Sequence, residues 1–352
     1  MADALLSLDK VGQVFPTRRG PVRALEDVTF SVDAGQVLCV VGESGSGKTT
    51  SAKIAVGLQR PSEGTVSFRG RDIWGLNREE FRRYRRAVQY VHQDPYSSLN
   101  PIHNVLSTLA APLQRHRVTR GRRQTAAKVA DLLEQVDLTP PENFLTKYPH
   151  QLSGGQRQRL SVARALTLSP EVLIADEATS MLDVSIRVSM LNLLKRLRDD
   201  LGVGFLFITH DLAVAKYFGW QGQTAVMYLG RVVESGPTLE VVNNPTHPYT
   251  KALLAAVPEP DPDAVRAGSD ADLREADVPG LHDLPSGCPF HPRCPRFEAG
   301  LCDVQRPLLV DIGRGRRTAC HLVERDLVRE AGQKPTNDRG TLSVATGQEE
   351  IG

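Results

Sequence analysis

Short apolar runs recur through the first two-thirds of the chain. Three of them, at residues 37–41, 172–175 and 205–208, contain only apolar side chains. Runs of this length are typical of parallel strands that are covered on both faces. Apolar residues at positions 6, 8 and 11, and again at 28, 30 and 32, are spaced as in half-buried strands. The pattern predicts an α/β domain built on a parallel sheet and preceded by a β region.

Helices are predicted between these runs. Apolar positions 126, 129, 133 and 136 form one helical stripe, and a second stripe runs from 186 to 201. Pro140-Pro141 and Gly202 follow these stripes and are typical stop signals. A charged helix over residues 78–86 carries four clustered arginines. Such a cluster suits either nucleic acid or a solvated helix face, and the near-neutral chain favours the solvated face.

A glycine-rich stretch follows the first apolar run and precedes a predicted helix over residues 49–58. Residues 42–49 match the phosphate-loop pattern G-x-x-x-x-G-K-[ST] at every fixed position. Glycines leave the backbone N–H groups free to face phosphates, and the start of the helix adds partial positive charge. Lys48 is expected to reach the β- and γ-phosphates, and the Thr49 hydroxyl to coordinate Mg²⁺. The chain is therefore predicted to bind a nucleoside triphosphate.

Polar side chains follow the predicted strands. Asp176 and Glu177 end one apolar run, Gln93 follows a short strand at 88–91, and His210 follows the run at 205–208. Ligands of open parallel sheets gather outside the carboxyl ends of the strands, so these residues and Lys48 are expected to share one site. Asp176 suits a Mg²⁺ carboxylate, Glu177 a base for the attacking water, and His210 a γ-phosphate contact.

Two further stretches allow two interpretations each. Ser153 caps a predicted helix, and Gly154 and Gly155 permit close approach to its start, although a plain capped helix has the same pattern. Phe15 lies in a polar stretch between two predicted strands. Its ring either packs on its own strand or stacks on adenine.

Length and composition limit the class of protein. The 352 residues suggest about two domains, and the net charge of +2 gives no global attraction to nucleic acid or anionic lipid. No apolar run approaches the roughly 20 residues that span a bilayer, and the N-terminus lacks the apolar core of a signal peptide. We expect a cytosolic chain whose membrane role depends on partners. Five cysteines in a reducing compartment argue against a disulfide framework.

Four cysteines cluster near the C-terminus, after a predicted linker that runs from Pro258 to about residue 280. Cys288, Cys294, Cys302 and Cys320 have the spacing C-x5-C-x7-C-x17-C. Four thiolates suit tetrahedral zinc or an iron–sulfur cluster, and the spacing does not choose between them or exclude unligated thiols. Residues 326–352 are polar and are predicted to form a flexible tail.

The motifs occur together in a known order. The phosphate loop at 42–49, Gln93, LSGGQRQR at 152–159, VLIADE at 172–177, Asp183 and His210 resemble the ATP-binding-cassette (ABC) ATPases over about residues 5–245. Segments 93–101 and 244–254 resemble the ATPase subunits of oligopeptide and dipeptide importers. The resemblance implies a P-loop NTPase cassette at 1–250, with a RecA-like core, an antiparallel β region and a helical subdomain at about 95–160. It also implies a small cysteine-containing C-terminal extension at 251–325.

The resemblance implies a role for each matching residue. Phe15 would stack on adenine, Gln93 would contact Mg²⁺ or the attacking water, and Asp183 would link two sites across a dimer. Ser153 and Gly155 would contact the γ-phosphate bound to the opposite subunit. The residues expected at ATP and Mg²⁺ are Phe15, Gly42, Glu43, Ser44, Gly45, Ser46, Gly47, Lys48, Thr49, Thr50, Gln93, Ser153, Gly154, Gly155, Gln156, Asp176, Glu177, Asp183 and His210.

Partners and cofactors are also implied by the resemblance. Such subunits work in pairs, as identical or different chains, on the cytoplasmic face of the membrane beneath two permease subunits. An extracytoplasmic binding protein delivers the substrate, and nucleic acid is not an expected partner. Similar extensions in some importers hold a [4Fe–4S] cluster, which favours that cofactor over Zn²⁺. Peptides are the expected cargo, with nickel complexes or oligosaccharides as alternatives and a soluble nucleic-acid ATPase as a different class.

Two positions depart from the family pattern. Met181 replaces the usual small alanine before Leu-Asp, which leaves packing at the dimer seam open. Residues 218–223 lack the acidic residue expected before the next strand. Neither change removes a catalytic group.

Overall fold

The computed structural model describes residues 4–256 and 273–332. The strands in these ranges are β1 (Leu6–Thr17), β2 (Gly20–Val32), β3 (Val37–Val41), β4 (Glu63–Phe68), β5 (Arg71–Asp72), β6 (Val88–Val91), β7 (Val172–Asp176), β8 (Gly204–Thr209), β9 (Gln223–Tyr228), β10 (Arg231–Pro237), β11 (Val310–Gly313) and β12 (Arg316–Thr318). The helices are α1 (Lys48–Ala55), α2 (Arg78–Ala87), α3 (Pro95–Ser98), α4 (Val105–Arg115), α5 (Gly121–Gln135), α6 (Glu142–Leu145), α7 (Gly154–Leu166), α8 (Val184–Leu201), α9 (Leu212–Gly219), α10 (Thr238–Asn243), α11 (Pro248–Ala255) and α12 (His321–Gly332).

The larger sheet has eight strands in the order β11-β12-β10-β9-β3-β8-β7-β6. Strands β9, β3, β8, β7 and β6 are parallel, and β3, β7 and β8 are buried along their whole length, as their apolar runs predict. Side chains alternate between two cores, so that Cys39 and Phe207 face one and Val40 and Ile208 face the other. Val41 pairs with Thr209 and Asp176 with Ile208, which brings the carboxyl ends of three strands together.

The smaller sheet is antiparallel and has the order β2-β1-β4-β5. Strands β1 and β2 form a long hairpin in which Phe15 pairs with Val22. The polar stretch around Phe15 is therefore part of a strand and not a connection between strands. The sequence pattern missed this because both faces of the hairpin are solvated at its tip.

Helices α3 to α7 form a helical region beside the parallel sheet. Leu109 of α4, Leu133 of α5 and Leu160 of α7 are fully buried in one apolar cluster. The helical subdomain predicted at about 95–160 falls in this region and stays a prediction, and α7 continues to Leu166. Arg82, Arg83 and Arg86 of α2 are exposed, and Arg83 pairs with Glu79, while Tyr84 faces the core. Arg85 is half-buried and donates to the Gly57 carbonyl oxygen at 3.1 Å.

The C-terminal extension adds strands to the same sheet. Thr318 of β12 pairs with Glu234 of β10, and Tyr228, Tyr249 and Phe290 pack in one cluster beneath it. The flexible tail predicted from residue 326 overlaps α12, which continues to Gly332, so that prediction is wrong for 326–332. Positions 258–272 of the predicted linker and 333–352 of the predicted tail lie outside the described residues.

In the described ranges, no helix combines the length and the hydrophobicity that crossing a membrane requires.

Candidate functional site

The phosphate loop connects β3 to α1 and depends on two glycines. Gly47 caps α1 with a left-handed backbone, φ 100°, and a Cβ there would lie 2.6 Å from Leu25 Cδ2 and 2.9 Å from the Ala24 carbonyl oxygen. A Cβ on Gly42 would lie 2.2 Å from the Met227 carbonyl oxygen. Neither position has room for a side chain, so the loop conformation requires glycine at both.

Lys48 is buried at the base of this loop. Its Nζ donates to the carbonyl oxygens of Gly42 at 2.7 Å and Glu43 at 2.8 Å, and lies 3.8 Å from Glu177 Oε1. Burial lowers the pKa of Lys48, while Glu177, Asp176 and Glu43 act in the opposite direction. The ammonium group is thus held among oxygen atoms at the point where a triphosphate would lie.

Asp176 ends β7 and is 2% exposed. Thr49 Oγ1 donates to its Oδ1 at 3.2 Å, and the Tyr90 hydroxyl donates to its Oδ2 at 2.5 Å. Burial raises the pKa of Asp176, and these hydrogen bonds and Lys48 oppose the change. A hydroxyl beside a carboxylate is a donor set that suits Mg²⁺, so Thr49 and Asp176, two of the three predicted ligands, fit that ion.

Tyr90 is a site residue that the sequence reasoning missed. It lies on β6, paired with Ile174 of β7, and its hydroxyl crosses to the end of the neighbouring strand. The one available signal was a tyrosine three residues before Gln93, in a short strand that otherwise reads as buried.

Glu177 follows Asp176 and has a left-handed backbone, φ 45°. Its Oε2 accepts from Gln93 Nε2 at 3.0 Å and lies 3.5 Å from His210 Nδ1, while its Oε1 faces Lys48. Three polar side chains from three separate connections therefore converge on one carboxylate. The structure brings together Lys48, Gln93, Asp176, Glu177 and His210, as the sequence predicted.

These groups open into a cleft of about 420 Å³. The residues that line it are Phe15, Val22, Ala24, Ser44, Gly45, Gly47, Lys48, Thr49, Thr50, Gln93, Glu177, His210 and Leu281. Phe15 projects from the hairpin as a partly exposed ring on its wall. Leu281 comes from the C-terminal extension and was not predicted.

The signature stretch does not line this cleft. Ser153 Oγ accepts from the backbone N–H of Gln156 at 3.2 Å, and the Gln156 side chain accepts from the backbone N–H of Ser153 at 2.9 Å. A Cβ on Gly155 would lie 2.7 Å from Ile186 Cγ2 of α8. Gly154, Gln156 and Asp183 are likewise not among the residues that line the cleft.

The four cysteines of the extension share one cavity of about 10 Å³. Burial raises the pKa of Cys288 to about 12 and that of Cys294 to about 11, and it also raises the pKa of Cys320. Among the described residues, no three His, Cys, Asp or Glu side chains are placed to hold a metal ion. The predicted iron–sulfur or zinc ligands therefore converge without forming a preformed cage.

Two family models and several curated proteins match this sequence. The family model described as ABC transporter matches residues 25–180, and the model described as oligopeptide/dipeptide transporter, C-terminal region matches residues 233–302. A probable peptide ABC transporter ATP-binding protein, y4tS of Sinorhizobium fredii, is 46% identical over 92% of this chain and 91% of its own length. The oligopeptide transport ATP-binding protein AppF of Bacillus subtilis is 39% identical over 91% of this chain and 98% of its own length.

The chain belongs to the ABC transporter ATP-binding subunits. As a member of this family it is an ATPase, and the ligands expected for it are ATP and Mg²⁺.

Solved structures agree with this assignment for the cassette. The dimeric ATP-binding cassette MJ0796, bound to ADP and phosphate, has a TM-score of 0.60 and 29% identity, and covers 66% of this ABC subunit and 98% of its own chain. The protein cbiO1 from Clostridium perfringens has a TM-score of 0.60 and 26% identity, and covers 69% of this subunit and 92% of its own chain.

Proposed function

We propose that this ABC ATPase subunit drives import of oligopeptides or dipeptides through partner permease subunits. The observation that carries the proposal is the assembled ATP site joined to an extension that matches the oligopeptide/dipeptide C-terminal region over residues 233–302. Relatives with peptide transport in their names cover nearly the whole chain. The cargo is assigned to the permeases and their binding protein, as the resemblance to importer ATPase subunits implies.

ATP hydrolysis follows from the residues around Glu177. A water oxygen attacks the γ-phosphorus, the bond to the ADP oxygen breaks, and the water proton passes to the Glu177 carboxylate. Gln93 and His210 hold that carboxylate from one side, and Lys48 balances the γ-phosphate charge from the other. Bound Mg²⁺, held by Thr49 and Asp176, would supply charge neutralisation on the phosphate oxygens. Phe15 offers a ring for adenine at the far wall of the cleft.

A second ATPase subunit is expected to complete this site. Ser153, Gly155 and Asp183 lie outside their own chain's cleft, which suits contact with nucleotide held by a partner. Met181 and Val184 beside Asp183 are 63% and 74% exposed, although both side chains are apolar. Exposed apolar residues next to a polar signature support a head-to-tail pairing of two such chains.

A permease contact is expected beside Gln93. The stretch after Gln93 leads into α3, where Tyr96 is 61% exposed, and Ile102 just beyond is 75% exposed. Buried Arg157 of α7 places its guanidinium 3.7 Å from the centre of the Tyr96 ring. A permease helix docked on this surface would thus contact an element joined to both Gln93 and the signature helix, at the cytoplasmic face of the membrane.

Isolation of the native complex tests the importer. Tagged chain recovered from detergent-solubilised membranes is expected to bring two multi-spanning proteins, with ATPase activity that rises when a peptide-loaded binding protein is added. A Glu177→Gln variant is expected to trap an ATP-bound pair with itself or a sister chain. Recovery without membrane proteins, together with stimulation by DNA or RNA, would instead support the nucleic-acid ATPase.

For the extension we propose a [4Fe–4S] cluster held by Cys288, Cys294, Cys302 and Cys320. Its support is the convergence of four thiols on one cavity and the chemistry of the donors, since iron–sulfur clusters take four cysteine thiolates. Burial raises the pKa values of Cys288, Cys294 and Cys320, so loading of the cluster must release protons. Anaerobically purified protein is expected to contain about four irons per chain, and Cys302→Ser to lose them. Zinc alone in such material would contradict the proposal.

A further inference from the structure

Glu43 is the residue where the C-terminal extension meets the phosphate loop. Its backbone N–H donates to the Tyr249 hydroxyl at 2.8 Å, and its carboxylate accepts two hydrogen bonds from Arg293 at 2.7 and 3.0 Å. Its carbonyl oxygen accepts from Lys48 Nζ at 2.8 Å and from the backbone N–H of Ser46 at 3.2 Å. Every polar group of Glu43 is therefore engaged, and its carboxylate is held by Arg293 of the extension while its N–H is held by Tyr249 at the end of the cassette.

Arg293 is placed for this contact by the loop from Cys288 to Cys294, called the cysteine loop below. The residue is 4% exposed, and its guanidinium lies 5.8 Å from the ring centres of both Tyr228 and Phe290. Its backbone N–H donates to the Phe290 carbonyl oxygen at 3.0 Å, and the next N–H, of Cys294, donates to the carbonyl oxygen of His291 at 3.3 Å. A turn thus fixes the backbone, and aromatic walls restrict the side chain. A planar guanidinium held in this way matches a carboxylate in two-bond geometry.

The ion pair has an electrostatic consequence for the nucleotide. Glu43 is an acidic residue inside a loop whose other groups attract phosphate. An unpaired carboxylate there would repel the triphosphate, and it would also be free to pull its own carbonyl away from Lys48. Arg293 neutralises the charge and holds the carboxylate in place, across a separation of 250 residues along the chain.

We propose that Arg293 is a positioning residue of the phosphate loop, through which the C-terminal extension sets the affinity of the cassette for ATP. The inference depends on the nucleotide site proposed above and not on the identity of the cargo. It gives the extension a role inside the ATPase cycle, because a cysteine loop that moves Arg293 changes the charge and the shape of the loop that binds phosphate.

The test uses the full chain and measures ATP binding in the presence of Mg²⁺. Arg293→Met is expected to weaken ATP binding about five- to tenfold, a change typical of coupling between linked sites. KM for ATP should rise in parallel while kcat changes less than about twofold, because the groups around Glu177 are untouched. Arg293→Lys keeps the charge but not the two-bond geometry, so its ATP affinity is expected to lie between those of the parent chain and Arg293→Met.

The double variant Arg293→Met with Glu43→Gln separates positioning from folding. Removing the unpaired carboxylate is expected to restore at least half of the lost binding free energy, which a merely structural defect would not do. The matched control is Arg325→Met, since Arg325 makes a two-bond pair with Glu298 in the same extension, at 2.7 and 2.6 Å, without touching the phosphate loop. It is expected to bind ATP like the parent chain.

Three results would overturn the inference while leaving the ATP site intact. These are unchanged ATP affinity in Arg293→Met, no recovery in the double variant, or an equal loss in Arg325→Met. If Arg293→Met does not fold, Arg293→Lys and the double variant carry the same comparison. Failure of the parent chain itself to bind ATP would defeat the nucleotide site, and this inference with it.

Discussion

The burial of His247 predicts that this ABC subunit is less stable at acidic pH. The residue is 1% exposed and caps α11, where its Nδ1 accepts from the backbone N–H of Tyr249 at 3.1 Å. Burial lowers the pKa of His247 to about 3, and a hydrogen bond with the backbone of Ala319 opposes the change only in part. The ring is therefore neutral in the folded chain at pH values well above 3.

The sign and size of the effect follow from linkage. The unfolded histidine has a pKa of about 6.5, so below that pH the unfolded chain binds a proton that the folded chain refuses. The neutral, buried ring contributes fully to the free energy of unfolding above pH 6.5. Below that pH the free energy of unfolding falls by about 1.4 kcal/mol per pH unit, down to about pH 3. At pH 5 the loss is about 2 kcal/mol. With an unfolding entropy of about 0.7 kcal/mol/K for a chain of this length, the melting temperature falls by about 3 °C.

The assay compares the parent chain with His247→Asn at pH 8 and pH 5. Asparagine keeps an oxygen acceptor for the helix cap and has no proton to bind in this range, so the variant isolates the titration. The parent chain should lose about 2 kcal/mol more than the variant between the two pH values, measured by thermal or denaturant unfolding. Equal losses in both chains would refute the reasoning, because the buried ring would then contribute nothing to the pH dependence.

Three further changes test other parts of the site and fold. Tyr90→Phe removes a hydrogen bond to Asp176 and should raise the Mg²⁺ concentration for half-maximal ATPase activity about tenfold; an unchanged Mg²⁺ requirement would contradict that. Gly47→Ala puts a Cβ into occupied space at φ 100° and should abolish ATP binding, whereas Gly75→Ala, with nothing within 4 Å, should not. Glu234→Gln should lower the free energy of unfolding by about 2–4 kcal/mol in denaturant titrations, because a fully buried carboxylate that accepts three hydrogen bonds would become an amide facing N–H donors.

Much of the cassette was predictable from short-range patterns. The apolar runs of β3, β7 and β8 identify buried parallel strands because such strands need apolar side chains on both faces. The phosphate loop is recognisable because Gly47 and Lys48 meet requirements of the backbone and of phosphate that no other residue types satisfy together. The shared site of Glu177, Gln93 and His210 followed from one rule, that the carboxyl ends of parallel strands meet at one edge.

Other features depended on distances along the chain that no local pattern covers. Tyr90 reaches Asp176 only because β6 and β7 are neighbours, and Arg293 reaches Glu43 only because the extension folds back over 250 residues. The hairpin around Phe15 and the helix that continues to Gly332 were missed because their stability comes from pairing and packing and not from a strong local apolar period.

The sequence by itself determined which reactive groups this protein has: a glycine-rich phosphate loop, two carboxylates at a strand end and four thiols near the C-terminus. Requirements of backbone conformation and side-chain reactivity involve residues that are adjacent in sequence, so sequence motifs reveal them without coordinates. Only the tertiary structure decided which distant groups touch, above all that Arg293 of the extension and Tyr249 at the end of the cassette both hold Glu43 of the phosphate loop. The physical reason is that such contacts gain their energy from burial and charge pairing in the folded chain, and that energy leaves no periodic trace in the sequence.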